Sequence, residues 1–217
     1  MKTIVSVGLL LFSIGVSLSA QSLRRVTPDK VGLSAKQLAY ADESIQRAIS
    51  DKEIPGAVLM VVRHQKIAYL KAYGNKRLEP QVEPMDIHTV FDLASCTKPV
   101  ATAISTMILV ERGLLRFEDP VSRFLPHFQG WIDDSGKETP IRVIDLLTHT
   151  SGLPAYAPVS ELQKQYGRLH PEGLVTYISE CKRHFKPQAQ FQYSCLNYIT
   201  LQQIIQKISG QNLRDFA

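Results

Sequence analysis

Leu38, Ala41, Ile45, Ala48 and Ile49 recur at helical spacing between polar positions, and Ser34 stands just ahead of them with Gln37 three residues on. This pattern predicts a capping box and an amphipathic helix over residues 35–51, ended by "DKEIPG". The period then changes. "GAVLMVVR" and "KIAYLKAYG" are β-rich runs joined by His64-Gln65, which predicts an antiparallel hairpin. Its link lacks the glycine that a tight primed turn prefers. From Phe91 the pattern is mostly helical. Val100, Ile104, Met107, Ile108, Val110 and Leu114 make the helix after Ser95 apolar almost all round, as expected of a buried central helix, with Gly113 closing it.

Asp119-Pro120 and Thr139-Pro140 each read as a helix start, the second ahead of "IRVIDLLTH". His170-Pro171 opens a helix to about residue 183. The last helix runs from about Leu196 to Ser209, with Ile199, Ile204, Ile205 and Ile208 inward and Gly210 closing it. No repeat, linker or low-complexity tract interrupts the chain. The order is therefore helix, hairpin, then helices only. A lone hairpin is too small for a stable sheet, and nothing after residue 91 reads as a strand, so the sheet looks incomplete.

Composition narrows the class. The 217 residues are 44% hydrophobic and 21% charged, as in a folded globular protein with a real core. Lys and Arg are scattered and the net charge is only +5, which gives no nucleic-acid footprint. "MKTIVSVGLLLFSIGVSLSAQS" has Lys2 first, an apolar run from Ile4 to Val16, and small residues ending at Ala20. That layout predicts a secretory signal peptide over residues 1–20, an exported domain over 21–217, and membrane contact only through the leader before cleavage. The alternative is an uncleaved anchor, for which the run is short. Three cysteines, Cys96, Cys181 and Cys195, allow at most one bridge. Neither they nor the six histidines have metal-ligand spacing, and no cofactor is implied.

The candidate chemistry lies in "FDLASCTKPVATAISTMILVERG". Positions i and i+3 of a helix differ by about 60° around the axis, so Ser95 and Lys98 can face one pocket while Cys96 turns about 100° away. First-turn N–H groups have no upstream acceptor, which suits an oxyanion and tolerates Pro99. A neutral amine can take the serine's proton. Bringing a lysine near 7 needs about 4–5 kcal/mol in favour of the neutral form, a shift that apolar burial supplies. S-x-x-K alone is a common chance match, and a serine here is otherwise only a cap.

"FDLASCTKPVATAISTMILVERGLLRFEDPVSRFLP", "IRVIDLLTHTSGLP" and "FQYSCLNYITLQQIIQKISGQ" in this order resemble the serine β-lactamase superfamily. The branch is that of class C β-lactamases, family VIII carboxylesterases and D-alanyl-D-alanine carboxypeptidase-type penicillin-binding proteins. The likeness extends over about residues 25–217. It implies an α+β, β-lactamase/transpeptidase-like fold, with a helical subdomain and an antiparallel sheet whose C-terminal strands are absent here. It implies Ser95 as the acylated nucleophile, Lys98 as its proton partner, and Tyr193 as the tyrosine of a Y-x-N motif acting with the lysine. Such a phenol and ammonium titrate as a pair. The expected substrate is an ester, amide, β-lactam or peptidoglycan-like peptide.

Two departures stand out. "YSC" puts Cys195 where the motif has an asparagine that donates to the substrate carbonyl, and a thiol is a weak donor. Asn197, two residues on, is a candidate to reach in. The family also continues to a K-T-G or H-x-G strand, and this chain ends at "GQNLRDFA" without one, as a truncated member or a fragment would. "LLTHTSGLP" is not a triad: His149 and Ser151 are neighbours in sequence, whereas triad members are not. By resemblance it is a structural segment at the edge of the site. No G-x-S-x-G elbow occurs, which argues against an α/β-hydrolase. A serine hydrolase, a non-catalytic module that binds peptidoglycan-like peptides or β-lactams, and a degraded gene product therefore remain as readings.

Overall fold

A computed structural model describes residues 22–168 and 170–217, so the apolar leader lies outside the described residues. The chain divides into two compact units, the first ending at Phe91 and the second running from Asp92 to Ala217.

In the first unit β1 (Arg24–Arg25), α1 (Ala35–Ser50), β2 (Gly56–Arg63), β3 (Lys66–Arg77) and β4 (Glu83–Pro84) follow in order. β3 is the hub. β2 runs antiparallel to it, β1 lies parallel beside its start with Arg24 opposite Lys66, and β4 lies antiparallel beside its end. The sheet is therefore mixed, and the hairpin is not alone as its pattern suggested. β1 and β4 are two residues each, too short to show an alternating pattern. The outer edge of β2 carries no strand among the described residues. His64 and Gln65 both take positive φ, 50° and 57°, so the primed turn forms without a glycine because its twist matches the strands.

On α1, Gln37 N–H donates to the Ser34 hydroxyl at 3.3 Å, and the expected stripe of Leu38, Ala41, Ile45, Ala48 and Ile49 is half-buried. One polar cluster ties this helix to β3. Asp42 accepts from the hydroxyls of Tyr69 and Tyr73 and from Lys71 Nζ at 2.8 Å. Lys71 first, then the two phenols, hold the Asp42 carboxyl down at about 2.

The second unit begins with a short turn, Ala94–Cys96, and a wide π-helical turn, Lys98–Ala103, which lead into α2 (Ile104–Glu111). Then come β5 (Trp131–Ile132), β6 (Glu138–Thr139), α3 (Val143–Leu147), α4 (Val159–Tyr166), α5 (Pro171–Glu180), α6 (Cys195–Ser209) and α7 (Leu213–Phe216). α6 is the core helix. Its Leu196, Leu201, Ile204 and Ile205 are at most 2% exposed and join Leu109, Val143, Leu146 and Ile178 in one cluster. Ile199 and Ile208 sit partly buried at its edge.

Several expectations change here. The helix after Ser95 buries Thr102, Ser105, Thr106 and Leu109, whereas Val100, Ile104 and Met107 are 58, 53 and 50% exposed. Residues 102, 105, 106 and 109 form one helical stripe, and their small side chains let α2 approach the rest of the unit closely. Thr106 satisfies its hydroxyl on the Thr102 carbonyl at 2.8 Å. β5 and β6 form a small antiparallel ladder in a region with no strand signal, again two residues a side. Thr139 belongs to that ladder. α3 starts later, with Arg142 N–H donating to Asp145 Oδ2 at 2.8 Å. Asp119 accepts from Arg116 N–H, and only a single turn, Val121–Arg123, follows Pro120. α4 was not expected, being eight residues long with only Val159, Leu162 and Tyr166 as apolar or aromatic positions. α5 opens as expected, the His170 ring accepting from Gly173 N–H at 2.9 Å, but ends at Glu180.

Candidate active site

Ser95 is built onto a strained turn. Ala94 has φ 42°, a region that alanine seldom adopts, and such strain concentrates at functional sites. Two bonds hold it: Ala94 N–H to Asp92 Oδ1 and Cys96 N–H to the Leu93 carbonyl, both 2.8 Å. Pro99 falls within the first turn that follows, where its missing N–H costs nothing. One turn on from the serine, Lys98 Nζ donates to Ser95 Oγ at 3.0 Å.

Tyr193 arrives from the segment that leads into α6. Its ring stands beside the pair, with Lys98 Nζ 5.1 Å from the ring centroid. Ser95 is exposed, Lys98 half-buried, and Tyr193 38% exposed. The three side chains stand together on the surface of the second unit.

Its electrostatics reverse one expectation. Interaction with the Tyr193 oxygen, an acceptor for the ammonium, holds Lys98 above the ordinary lysine value, outweighing burial, so the lysine is not a neutral amine here. Conversely, Lys98 first and then Ser95 pull the Tyr193 phenol below its ordinary value. The two shifts agree, since an ammonium and a phenolate stabilise each other. The apolar neutralising pocket inferred from the helix pattern does not form, because Val100, Ile104 and Met107, the apolar residues nearest the serine end of that helix, face outward.

Cys195 is the first residue of α6 and is half-buried, with its thiol in reach of the Lys98 ammonium. Cys195, Lys98, Thr97 and Tyr198 line a cavity of about 250 Å³. Asn197 lies elsewhere. It is fully buried, accepting from the Ser151 hydroxyl at 2.5 Å through Oδ1 and reaching His149 Nδ1 at 3.1 Å through Nδ2. Both ends of its amide are used inside the unit, so it presents no donor to the cavity, contrary to the expected reach toward substrate.

His149 and Ser151, set aside as a triad, are indeed not one: Ser151 is 1% exposed and bonded to Asn197. What sequence reasoning missed is that the His149 ring lies 4.5 Å from the Tyr193 ring. The "THTSGLP" stretch was the available signal. All three cysteines are free thiols, and no group of His, Cys, Asp or Glu able to hold a metal occurs among the described residues.

A serine, a lysine one turn on and a tyrosine from another helix's entry thus stand together on an α+β scaffold. The Beta-lactamase family profile matches residues 41–217, and the chain belongs to that family. It is 33% identical over 198 residues to an N-acetylmuramyl-L-alanine amidase of Bacillus subtilis, covering 87% of this chain and 44% of the relative. It is likewise 33% identical over 198 residues to Esterase EstB of Burkholderia gladioli, covering 86% and 49%. Among solved structures, EstCE1, a hydrolase with promiscuous acyltransferase activity, superimposes with a TM-score of 0.68 at 30% identity, covering 83% of this chain and 49% of that one. The chain thus spans about half the length of the relatives it matches.

Proposed function

We propose that the chain carries the acylating machinery of a serine hydrolase acting on an ester, amide or β-lactam carbonyl. The observation that carries this reading is the 3.0 Å bond from Lys98 Nζ to Ser95 Oγ, with the Tyr193 ring beside the pair, its centroid 5.1 Å from Lys98 Nζ. Tyr193, as the phenolate that Lys98 stabilises, takes the Ser95 proton while Oγ bonds to the carbonyl carbon. Negative charge collects on the carbonyl oxygen beside the N–H groups of the helix head. On collapse the bond to the leaving group breaks and Tyr193 returns the proton to it, leaving an ester on Ser95. Water then adds to that ester with Tyr193 again as base, and the acid departs. Lys98 stays charged throughout. It supplies the field that lowers the phenol and eases formation of the phenolate.

The test is labelling of the purified chain with a fluorescent penicillin and with a p-nitrophenyl ester, read as an acyl adduct by intact mass. The adduct is expected on Ser95 and absent from Ser95→Ala. Equal labelling of the alanine variant would refute the assignment.

A second reading, a non-catalytic module that holds a peptidoglycan-like peptide or β-lactam, is favoured by the weak donor at Cys195 and by the inward commitment of Asn197. Binding of such a ligand with no turnover of nitrocefin or p-nitrophenyl esters would decide for it. Export to the periplasm or medium is proposed on the leader's layout. No described helix is long and apolar enough to cross a membrane. A leader fusion to a reporter active only outside the cytoplasm tests it.

A further inference from the structure

We infer that His149 is a positioning residue that clamps Tyr193 beside Lys98, and that it does so only as the neutral ring with its proton on Nε2. The inference rests on the reading of Tyr193 as the base. The residues on either side of Tyr193 both donate to His149: Gln192 N–H to its carbonyl at 2.9 Å and Ser194 N–H to its Nδ1 at 3.2 Å. The ring also packs on Tyr193 at 4.5 Å, with Tyr198 at 5.1 Å and Phe191 edge-on at 6.0 Å. One histidine therefore fixes both the backbone and the ring of the tyrosine.

The tautomer follows from donors that cannot be reversed. Ser151 Oγ accepts from Leu153 N–H at 3.1 Å and donates its own proton to Asn197 Oδ1 at 2.5 Å. The Asn197 amide is thereby oriented with Nδ2 toward His149 Nδ1, at 3.1 Å. Ser194 N–H points at the same nitrogen, and a backbone N–H is only ever a donor. Nδ1 must carry a lone pair, which leaves the proton on Nε2. Protonating the ring would place a hydrogen on Nδ1 against two donors and release the clamp. Tyr193 and Tyr198 are the titratable groups against the ring, and Lys98 is the charge that bears on it. Burial first, and that ammonium second, hold the His149 pKa below the ordinary histidine value. The clamp therefore holds at neutral pH and is lost only as pH falls through that lowered value.

His149 takes φ 58°, a region in which asparagine is also at ease. Asparagine keeps an acceptor without titrating, whereas phenylalanine keeps the ring without the acceptor, so His149→Asn and His149→Phe separate the two contributions. In the full chain with ¹⁵N-histidine and ¹³Cζ-tyrosine, NMR is expected to find the His149 proton on Nε2 at neutral pH. Tyr193 should titrate below the ordinary phenol and move up toward it in H149F. Hydrolysis of p-nitrophenyl acetate should lose about 10²-fold in kcat in H149F with KM nearly unchanged, the cost of a base displaced by about an ångström. H149N should recover most of that loss and lack the acid limb assigned to the ring. A proton on Nδ1, or a Tyr193 titration unmoved in a folded H149F, overturns the clamp. Should the wild-type chain fail to acylate, the hydrolase reading falls by itself, and the two NMR readouts still decide the clamp.

Discussion

Removing the Tyr193 hydroxyl is the most direct probe of the site. Tyr193→Phe keeps the ring that packs on His149 at 4.5 Å and deletes only the phenol oxygen whose pKa Lys98 and Ser95 lower. Since the residue is 38% exposed, the fold should be unaffected, with the same unfolding midpoint as the wild type. Loss of a positioned base typically costs 10²–10⁴-fold, about 2.7–5.5 kcal/mol of barrier. Lys98→Met deletes the charge that lowers the phenol and the donor 3.0 Å from Ser95. A charge at about that range is worth about 1–4 kcal/mol between water-like and surface-like screening, or roughly one to three decades. The assay is the pre-steady-state acylation rate with an activated p-nitrophenyl ester, measured across pH for both single variants and the double. Because the phenol is the base and the lysine its stabiliser, the double variant should be about as slow as the slower single, not the product of the two losses. In Lys98→Met the pH at which the rate rises should move up, since the phenol loses its chief stabiliser. Wild-type acylation rates in Tyr193→Phe would refute the mechanism. Fully multiplicative losses would refute the coupling.

Four further outcomes are expected. Cys195→Asn restores a proper amide donor and should raise kcat/KM on an ester by about 2–12-fold, the worth of one net hydrogen bond, as read by steady-state kinetics. Asn197→Ala strips buried partners from Ser151 and His149 and should cost about 1–3 kcal/mol in urea unfolding. Ile204→Ala opens a cavity at a fully buried core position and should cost about 2–5 kcal/mol in the same experiment. The Asp42 carboxyl is held down at about 2, so its contribution is present above its unfolded value near 4 and is lost as pH falls from there toward 2. Far-UV circular dichroism should show that acid loss flattened in Asp42→Asn.

The parts of the fold legible in sequence were those whose signal is local. The cap at Ser34 and a five-residue stripe marked α1, and two β-rich runs marked the hairpin. The primed turn at His64-Gln65 was less legible, because strand twist overrode the usual need for glycine. Two-residue strands such as β1 and β5 carry no period at all, and pairing with a partner distant in sequence decides them. α2 failed for a different reason. Both of its faces are apolar or small, so hydropathy does not say which one the core takes. Close approach favoured the threonine and serine face over the valine and isoleucine face.

That misjudged face bears on the chemistry. A lysine at the head of a buried apolar helix would be neutralised by desolvation, and the serine would then have an amine for its base. With Val100, Ile104 and Met107 facing out, little desolvation remains, and interaction with the Tyr193 oxygen decides the charge of Lys98. The same three residues therefore suit the opposite division of labour, with the ammonium as electrostatic support and the phenolate as base. The identity of the trio was read from S-x-x-K and from Tyr193 of Y-S-C by its resemblance to Y-x-N. Its protonation pattern was not, because it depends on which side of one helix meets the core and on a histidine 44 residues before the tyrosine that the sequence never marks as its partner.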